Sequence, residues 1–356
     1  MKIEALLANP GEWLSSAGDH HPIVISSRVR LARNLAKMPF PGWAKKSERI
    51  RILEEIKPEV EVLPEMSNSF SQQLNELSAT EKQVLVERHL ISREHAAKGM
   101  GSAVVINSAQ TLSIMVNEED HLRMQAITGG FDLPQTFQLI DRIDTMLESQ
   151  LDFAFDEELG YLTACPTNVG TGMRASAMVH LPGLVLSEQI NQVVNSVNKI
   201  GLAVRGLYGE GTEAMGNLFQ VSNQTTLGEK EDQIIERLNK VIETLIQREN
   251  QARTNLLDTR RTMLMDQVGR AYGILNYSYS ISSKEALNLL SVLRLGIDLG
   301  FFPEQGRTII NQLLLDTQPA HLQHTSQQKL AAEERDHLRA DTVREQLKSF
   351  PKPPNT

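Results

Sequence analysis

An α+β domain followed by an all-helical one is what this sequence predicts, and three observations predict it. Between about residues 20 and 225, short apolar runs alternate with glycine-rich turns. Amphipathic helical segments are interleaved with those runs but show no regular βαβ alternation, which favours an α+β arrangement over a doubly wound one. Beyond about residue 255 the strand signals fade and helical periodicity takes over.

Each element has its own signal. Ala103–Ile106 and Leu112–Val116 are apolar runs joined by the polar link Asn107–Gln110, the pattern of an antiparallel pair. Leu202–Val204 and Leu218–Val221 read as further strands. Ile190, Val193, Val194 and Val197 share one helical face. So do Ile234, Ile235, Leu238, Val241, Ile242, Leu245 and Ile246. Ser282 with Glu285 three residues on forms a capping box, opening a helix that carries Leu287, Leu290, Leu293 and Ile297. A charged periodic stretch from 327 to 349 predicts one more helix. The expected division is 1–254 and 255–356.

Composition narrows the class. In 356 residues, 40% hydrophobic and 22% charged content describes an ordinary globular chain rather than a disordered one. A net charge of -8 argues against direct nucleic-acid binding, which needs a basic face. The single cysteine, Cys165, rules out an internal disulfide and a multi-cysteine metal site, and fits a reducing, cytoplasmic setting. No run approaches the ~20 apolar residues of a membrane span, and the N-terminal apolar run is too short for a signal peptide.

Five segments could carry chemistry. Ser26–Arg33 follows an apolar run, and strand alternation sends Arg28 and Arg30 to the same face. Two like charges there repel unless an anion lies between them; a charged edge strand is the plainer alternative. Asn117–Arg123 packs three acids, a histidine and an arginine at the end of an apparent strand, where it either faces a cleft or caps a helix. Cys165–Arg174 holds glycines and small polar residues whose backbone could approach phosphate, or simply turn; it lacks the lysine and spacing of a Walker A loop. Val204–Gly216 has the glycine content of a mobile loop with embedded charge, suggesting a lid. Arg335 and Arg339 stand one helical turn apart, able to grip a phosphate or to decorate a solvated face.

Taken together, the strings Ser26–Arg30, Asn117–Arg123, Cys165–Ser176 and Arg205–Glu210 resemble those of the ATP:guanidino phosphotransferases, the phosphagen kinase family of creatine and arginine kinases. They stand in that family's order across residues 20–230. The resemblance implies a mainly antiparallel sheet flanked by helices. It implies Glu119 as catalytic base, Glu210 as second substrate carboxylate and Cys165 as a contact to the guanidinium. It implies ATP contacts from Ser27, Arg28, Arg30, Arg123, Arg174, Arg205 and, on the adenine side, His89. Mg²⁺ is expected on the ATP phosphates, with no metal site in the protein itself.

The chain departs from the small-molecule kinases in having only about 25 residues before Arg28 and a helical domain after the catalytic one. That layout is similar to the bacterial branch that phosphorylates arginine side chains in proteins. Arg335, Asp336 and Arg339 resemble its phosphoarginine-binding motif. The resemblance further implies a homodimer, an activator protein, a Clp-type protease chaperone as partner, and a heat-shock repressor and misfolded proteins as substrates. A small-guanidino kinase and a phosphoarginine-binding adaptor are the alternatives.

Overall fold

The computed structural model describes residues 1–14, 18–206, 214–326, 328–348 and 350. The chain divides into two compact units, one of residues 1–13, 26–177 and 222–240, the other of 14–25, 178–221 and 241–356.

Among the described residues the strands are β1 (Val24–Arg33), β2 (Phe70–Gln73), β3 (Ala103–Ile106), β4 (Leu112–Val116), β5 (Leu122–Gly129), β6 (Phe155–Asp156), β7 (Gly160–Tyr161), β8 (Met173–His180), β9 (Leu202–Gly206) and β10 (Leu218–Asn223). Eight of them make one sheet in the order β2-β3-β4-β5-β1-β8-β10-β9, and β6 and β7 form a separate hairpin. The pairings β1–β5, β2–β3, β3–β4 and β4–β5 are all antiparallel. The expected pair 103–106 and 112–116 is therefore observed, residue for residue. Its link turns where Gln110 takes a positive φ of 59°.

In the first unit β3 and β4 are buried along their whole length, so they read as unbroken apolar runs rather than alternating ones. The helix Leu133–Glu148 packs against β5. Asp132 caps it, its carboxylate accepting from the Gln135 amide at 3.0 Å.

The second unit has a leucine-rich helical core built from Leu264, Leu275, Leu287, Leu290, Leu293, Ile310 and Leu313 among others. The helix expected over 234–246 runs from Glu231 to Tyr277, with one non-helical residue at Arg260. Ser282 caps the helix Ser283–Asp298 by accepting from the Glu285 amide, as the sequence predicts. The last helix spans Ala332–Leu347.

A buried ionic network fixes these helices to the strand-bearing segments of the same unit. Asp298 accepts from Arg253 Nη1 at 3.0 Å and from Arg307 Nε at 2.9 Å. Arg294 donates to the carbonyls of His21 at 2.8 Å and Pro22 at 2.9 Å, and to His180 Nδ1 at 2.9 Å. His180 is thus neutral, its other nitrogen donating to Ser291 Oγ at 2.8 Å. Burial pushes its pKa well below the usual histidine range, and Arg294 and Arg253 push it further.

Candidate active site

The site grows from the β1–β5 ladder. Its register sets Arg28 opposite Ile127, Arg30 opposite Gln125 and Ala32 opposite Arg123. Directly opposed residues share a face, so Arg28, Arg30 and Arg123 project from the same side of the sheet. The small Ala32 leaves Arg123 room. Arg33 points to the opposite face, where Asp144 of the helix Leu133–Glu148 takes its Nη2 at 2.5 Å and the Tyr161 ring lies 3.5 Å away. One strand therefore carries a structural arginine on one side and two of another kind on the other.

The difference is electrostatic. Burial lowers the Arg28 pKa to about 10, with Arg123 and Arg174 pushing the same way. Burial lowers Arg30 well below its ordinary value, helped by Arg28, Arg123 and Arg174 and opposed by Glu118. The Nε of Arg30 is buried with no hydrogen-bond partner. Four guanidinium groups gathered against their mutual repulsion, with the buried Nε of Arg30 left unsatisfied, fit a polyanion such as a nucleotide phosphate chain. His89 belongs to the same cluster. Burial, Arg28 and Arg30 hold it down to about 3, so it is neutral, and its ring meets Trp13 edge-on at 5.6 Å.

Beside the cluster, the turn between β4 and β5 carries Asn117–His121. Asn117 adopts a positive φ of 58°, a conformation asparagine tolerates better than most residues. Its side-chain amide donates to the carbonyls of Arg49 at 2.9 Å and Gly101 at 2.7 Å. His121 donates from Nε2 to the Pro39 carbonyl at 3.0 Å and accepts the Leu35 amide at Nδ1 at 2.9 Å. Asp120 accepts from both Asn34 Nδ2 and the Ala164 amide at 2.6 Å.

Glu118 was not singled out from the sequence, and it is the pivot of the turn. Its oxygens each accept from Arg123 Nη1 at 2.9 Å, one also takes Ser92 Oγ at 2.5 Å and the other the Glu119 amide at 2.8 Å. Burial works to raise this carboxyl, but Arg123, Ser92 and the Glu119 amide outweigh it and hold it below the usual range.

Glu119 is the one exposed residue between Leu112 and Leu122. Partial burial and then the charges of Asp120 and Glu118 raise its pKa, with Arg123 opposing. A carboxylate made more basic and aimed outward beside a cationic cluster is suited to accept a proton. The Asp120–Ala164 bond brings the next residue, Cys165, toward this turn; its Sγ lies 3.0 Å from Thr167 Oγ1.

The other expected positions fall as follows. Ser27 is buried on the Arg33 side of β1, its hydroxyl donating to the Gly130 carbonyl and accepting the Asp132 amide, both at 3.0 Å. Arg174, on β8, reaches Ser222 Oγ at 3.5 Å. Arg205 is exposed near the end of β9 in the second unit. Glu210 lies outside the described residues, as does most of the expected lid. Gly170 and Gly172 do not open the 165–174 loop to a ligand. A Cβ on Gly170 would stand 2.5 Å from the Thr226 carbonyl oxygen, and one on Gly172 2.6 Å from that of Ala32, so these glycines permit backbone packing. In the C-terminal helix Arg339 is buried, donating to the carbonyls of Thr317 and Ile281 at 2.8 Å each and pairing with Asp336. Arg335 is half-buried and donates to the Leu330 carbonyl at 2.8 Å. Among the described residues no group of three or more His, Cys, Asp or Glu assembles to hold a metal ion. No helix among them is long and apolar enough to cross a membrane.

Comparison with known proteins finds matches along most of the chain. Residues 51–252 match the model of the ATP:guanido phosphotransferase C-terminal catalytic domain, and residues 261–356 that of the protein-arginine kinase McsB C-terminal domain. A protein-arginine kinase of Brevibacillus brevis is 45% identical over 352 residues, 98% of each chain. One of Moorella thermoacetica is 47% identical over 344 residues, 96% of this chain and 98% of its own. Among solved structures, a lombricine kinase superposes with a TM-score of 0.58 at 23% identity over 70% of each chain. The duplicated taurocyamine kinase of Schistosoma mansoni gives 0.60 at 24% identity, over 73% of this chain and 39% of its own.

Proposed function

Because this chain belongs to the ATP:guanido phosphotransferase family, we propose that it moves the γ-phosphoryl group of ATP onto the guanidinium of arginine side chains in proteins. The name shared by relatives at 45% and 47% identity over nearly the full length supports the protein substrate. The observation that carries the chemistry is the outward-facing Glu119, its basicity raised, beside a cluster of guanidinium groups in which the buried Nε of Arg30 has no hydrogen-bond partner.

The nucleophile sets the problem. An arginine guanidinium is cationic at neutral pH, and deprotonating it beforehand would cost about 7 kcal/mol at ~1.4 kcal/mol per pKa unit. Proton loss must therefore accompany bond formation. In the proposed step a guanidinium nitrogen attacks the γ-phosphorus, the P–N bond forms as the bond to the ADP oxygen breaks, and Glu119 takes the nitrogen's proton. Arg28, Arg30, Arg123 and Arg174 hold the phosphates and take up charge on the migrating oxygens. Arg205 and Glu210 are assigned by family resemblance to the phosphates and the guanidinium respectively, and Cys165 to the guanidinium. Mg²⁺ would enter on the nucleotide, held by phosphate and water. Arg335 is the less buried of the two arginines in the proposed phosphoarginine-binding string, and Arg339, paired with Asp336, holds its helix in place.

The test is mass spectrometry of an arginine-containing protein incubated with Mg-ATP, handled at neutral pH to preserve the acid-labile P–N bond. Phosphoarginine on the protein is the expected product. A higher kcat/KM on free arginine than on protein would refute the protein-kinase reading and favour a small-guanidino kinase.

A further inference from the structure

The segment that carries His89 is wired to the cationic face of the sheet on one side and to the N-terminal segment on the other. Gln125 stands opposite Arg30 in the β1–β5 ladder and opposite Ser113 in the β4–β5 ladder, so these three side chains share one face. Gln125 Nε2 donates to the His89 carbonyl at 2.7 Å, and Ser113 Oγ donates to the Leu90 carbonyl at 2.5 Å. His89 takes a positive φ of 58°, a conformation that histidine adopts more readily than most residues. Its backbone is thereby pinned level with Arg30. Arg123 lies two residues along the same strand from Gln125, toward the turn that bears Glu119.

The imidazole ring is held from elsewhere. Trp13, buried at 3% exposure, meets it edge-on with centroids 5.6 Å apart. The segment carrying Trp13 is clamped by Arg88, the residue before His89. Arg88 Nη1 donates to the Asn9 carbonyl at 2.7 Å and Nη2 to the Leu7 carbonyl at 2.9 Å. Gln110 donates to the Leu6 and Asn9 carbonyls at 2.8 and 2.7 Å and accepts from Arg88 at 3.0 Å. The Glu12 amide adds a bond to the Ala109 carbonyl at 3.2 Å. Gly11, at a φ of 87°, lets the indole lie close, since a Cβ there would stand 3.2 Å from Trp13 Nε1. None of these hydrogen bonds uses the indole, so they remain when residue 13 is changed.

We propose that Trp13 is a positioning residue for the nucleotide base: it holds the His89 imidazole in the orientation in which that ring receives the base of ATP, while Arg28, Arg30, Arg123 and Arg174 receive the phosphates. The proposal rests on reading the arginine cluster as a phosphate site, and it adds the residue that fixes the base-binding end. Three observations carry it. The catalytic turn lies beyond Arg123, so the transferred phosphoryl belongs at that end of the ladder and the base at the end where His89 is pinned beside Arg30. The charges agree, since His89 is perturbed by Arg28 and Arg30 and Glu119 by Arg123. His89 is also neutral, so it offers a flat, uncharged aromatic surface to a heteroaromatic base, where a cation would add to the repulsion among the arginines. A half-buried imidazole without the indole against it would have to be ordered on binding, at a cost of about 3- to 10-fold in affinity. With Trp13 in place the ring is ordered before the nucleotide arrives.

Calorimetric titration of the full-length protein with AMP-PNP and with inorganic tripolyphosphate, each with Mg²⁺, separates the base from the phosphates. Trp13→Leu should weaken AMP-PNP about 3- to 10-fold and leave tripolyphosphate within about twofold. Trp13→Phe keeps an aromatic edge against His89 and should restore most of the AMP-PNP affinity. His89→Ala should show the same discrimination between the two ligands, and adding Trp13→Leu to it should cost nothing further, because both act through one ring. Gly11→Ala crowds the indole without removing it and serves where Trp13→Leu folds poorly; it too should weaken AMP-PNP and spare tripolyphosphate. Equal losses on both ligands in Trp13→Leu, a fully additive loss in the double variant, or a loss in His89→Ala with none in Trp13→Leu or Gly11→Ala would overturn the proposal. Unchanged AMP-PNP affinity in His89→Ala would remove the base from this end of the ladder and overturn the proposal while leaving the kinase reading intact. If the unaltered protein binds neither ligand, the phosphate reading fails and the proposal falls with it.

Discussion

Replacing Glu118 by glutamine probes the site without touching the proposed base or the phosphates. The substitution keeps shape and one acceptor but removes the charge that faces Arg123. Glu118 is 1% exposed and Arg123 20%, with both carboxylate oxygens 2.9 Å from Nη1. Breaking a buried pair costs about 3–5 kcal/mol, and partial exposure of Arg123 places this one near the lower end. Arg123 then loses its ion pair and keeps only the more distant charges of Glu119 and Asp120 against Arg28, Arg30 and Arg174. A loss of about 3 kcal/mol corresponds to a fall in Tm of roughly 6–12 °C for a body of this size.

The nucleotide supplies the check. Phosphates bring back the missing negative charge, so a non-hydrolysable ATP analogue should recover part of the Tm deficit beyond the stabilisation it gives the unaltered protein. The pH–rate profile moves in a defined direction. Glu119 must be ionised to take a proton, so activity falls as pH drops through its pKa. Glu118 is one of the charges raising that pKa. Removing it lowers the pKa, and the acid limb of kcat/KM shifts to lower pH. Differential scanning calorimetry with and without the analogue, and kcat/KM across the acid range, read both effects. An unchanged Tm without nucleotide, or an acid limb displaced upward, would refute the role given to Glu118.

Other consequences follow from the same geometry. Glu119→Gln should cut phosphoryl transfer by about 10²–10⁴-fold while nucleotide affinity, measured by calorimetric titration, stays within about twofold. Arg30→Met should raise the KM for ATP at least ~10-fold, yet leave the ligand-free protein as stable as before or about 1 kcal/mol more so, because it relieves a buried like-charge cluster; a large fall in Tm would mean the cluster is structural. His89, His95 and His180 are buried with pKa values lowered, His89 to about 3 and His95 to about 4, against 6.5 when exposed. Unfolding must then take up protons below pH 6.5, so stability is present above that pH and is lost as pH falls toward the folded values, by ~1.4 kcal/mol per unit for each histidine; urea unfolding at pH 7.0 and 5.5 measures the slope.

The fold was legible where local chemistry is strong. The β3–β4 pair and the Ser282 cap follow directly from apolar runs and capping residues. The bound of the long helix was not. Its apolar face is clear only to about Ile246, yet it continues to Tyr277 because Leu256, Leu264, Val268 and Leu275 pack into the core of the second unit. That is a tertiary effect, absent from local periodicity. The site was legible in its parts and not in its wiring. Strand alternation put Arg28 and Arg30 on one face, and the register brought Arg123 to them. Alternation has no meaning inside a turn, so it could not tell which of three successive acids is buried against Arg123 and which is exposed. Only the hydrogen bonds of Ser92, Asn34 and Ala164 make that distinction. Nor could composition reveal that Gly170 and Gly172 serve packing, since their neighbours come from residues 226 and 32.

Arginine burial by itself separates nothing in this chain; the fate of the donors does. Arg33, Arg294 and Arg339 are among the largest fully buried side chains, and each spends its guanidinium on carboxylates, carbonyls or an imidazole already in place. Their charge is neutralised or dispersed, and a ligand would gain nothing by meeting them. Arg30 is in the opposite condition. Its Nε has no partner, and burial, followed by three like charges, lowers its pKa. A folded protein keeps so costly an arrangement only where a bound anion repays it in the working state. Extending the comparison to the C-terminal helix, Arg339 behaves as Arg33 does, with its donors on Thr317, Ile281 and Asp336. If phosphoarginine binds this helix, Arg335 must make the charged contact while Arg339 sets the helix in place. Arg335→Ala should then abolish binding of a phosphoarginine peptide without lowering Tm, whereas Arg339→Ala should lower Tm by several degrees; equal thermal losses in the two variants would show that the pair is purely structural.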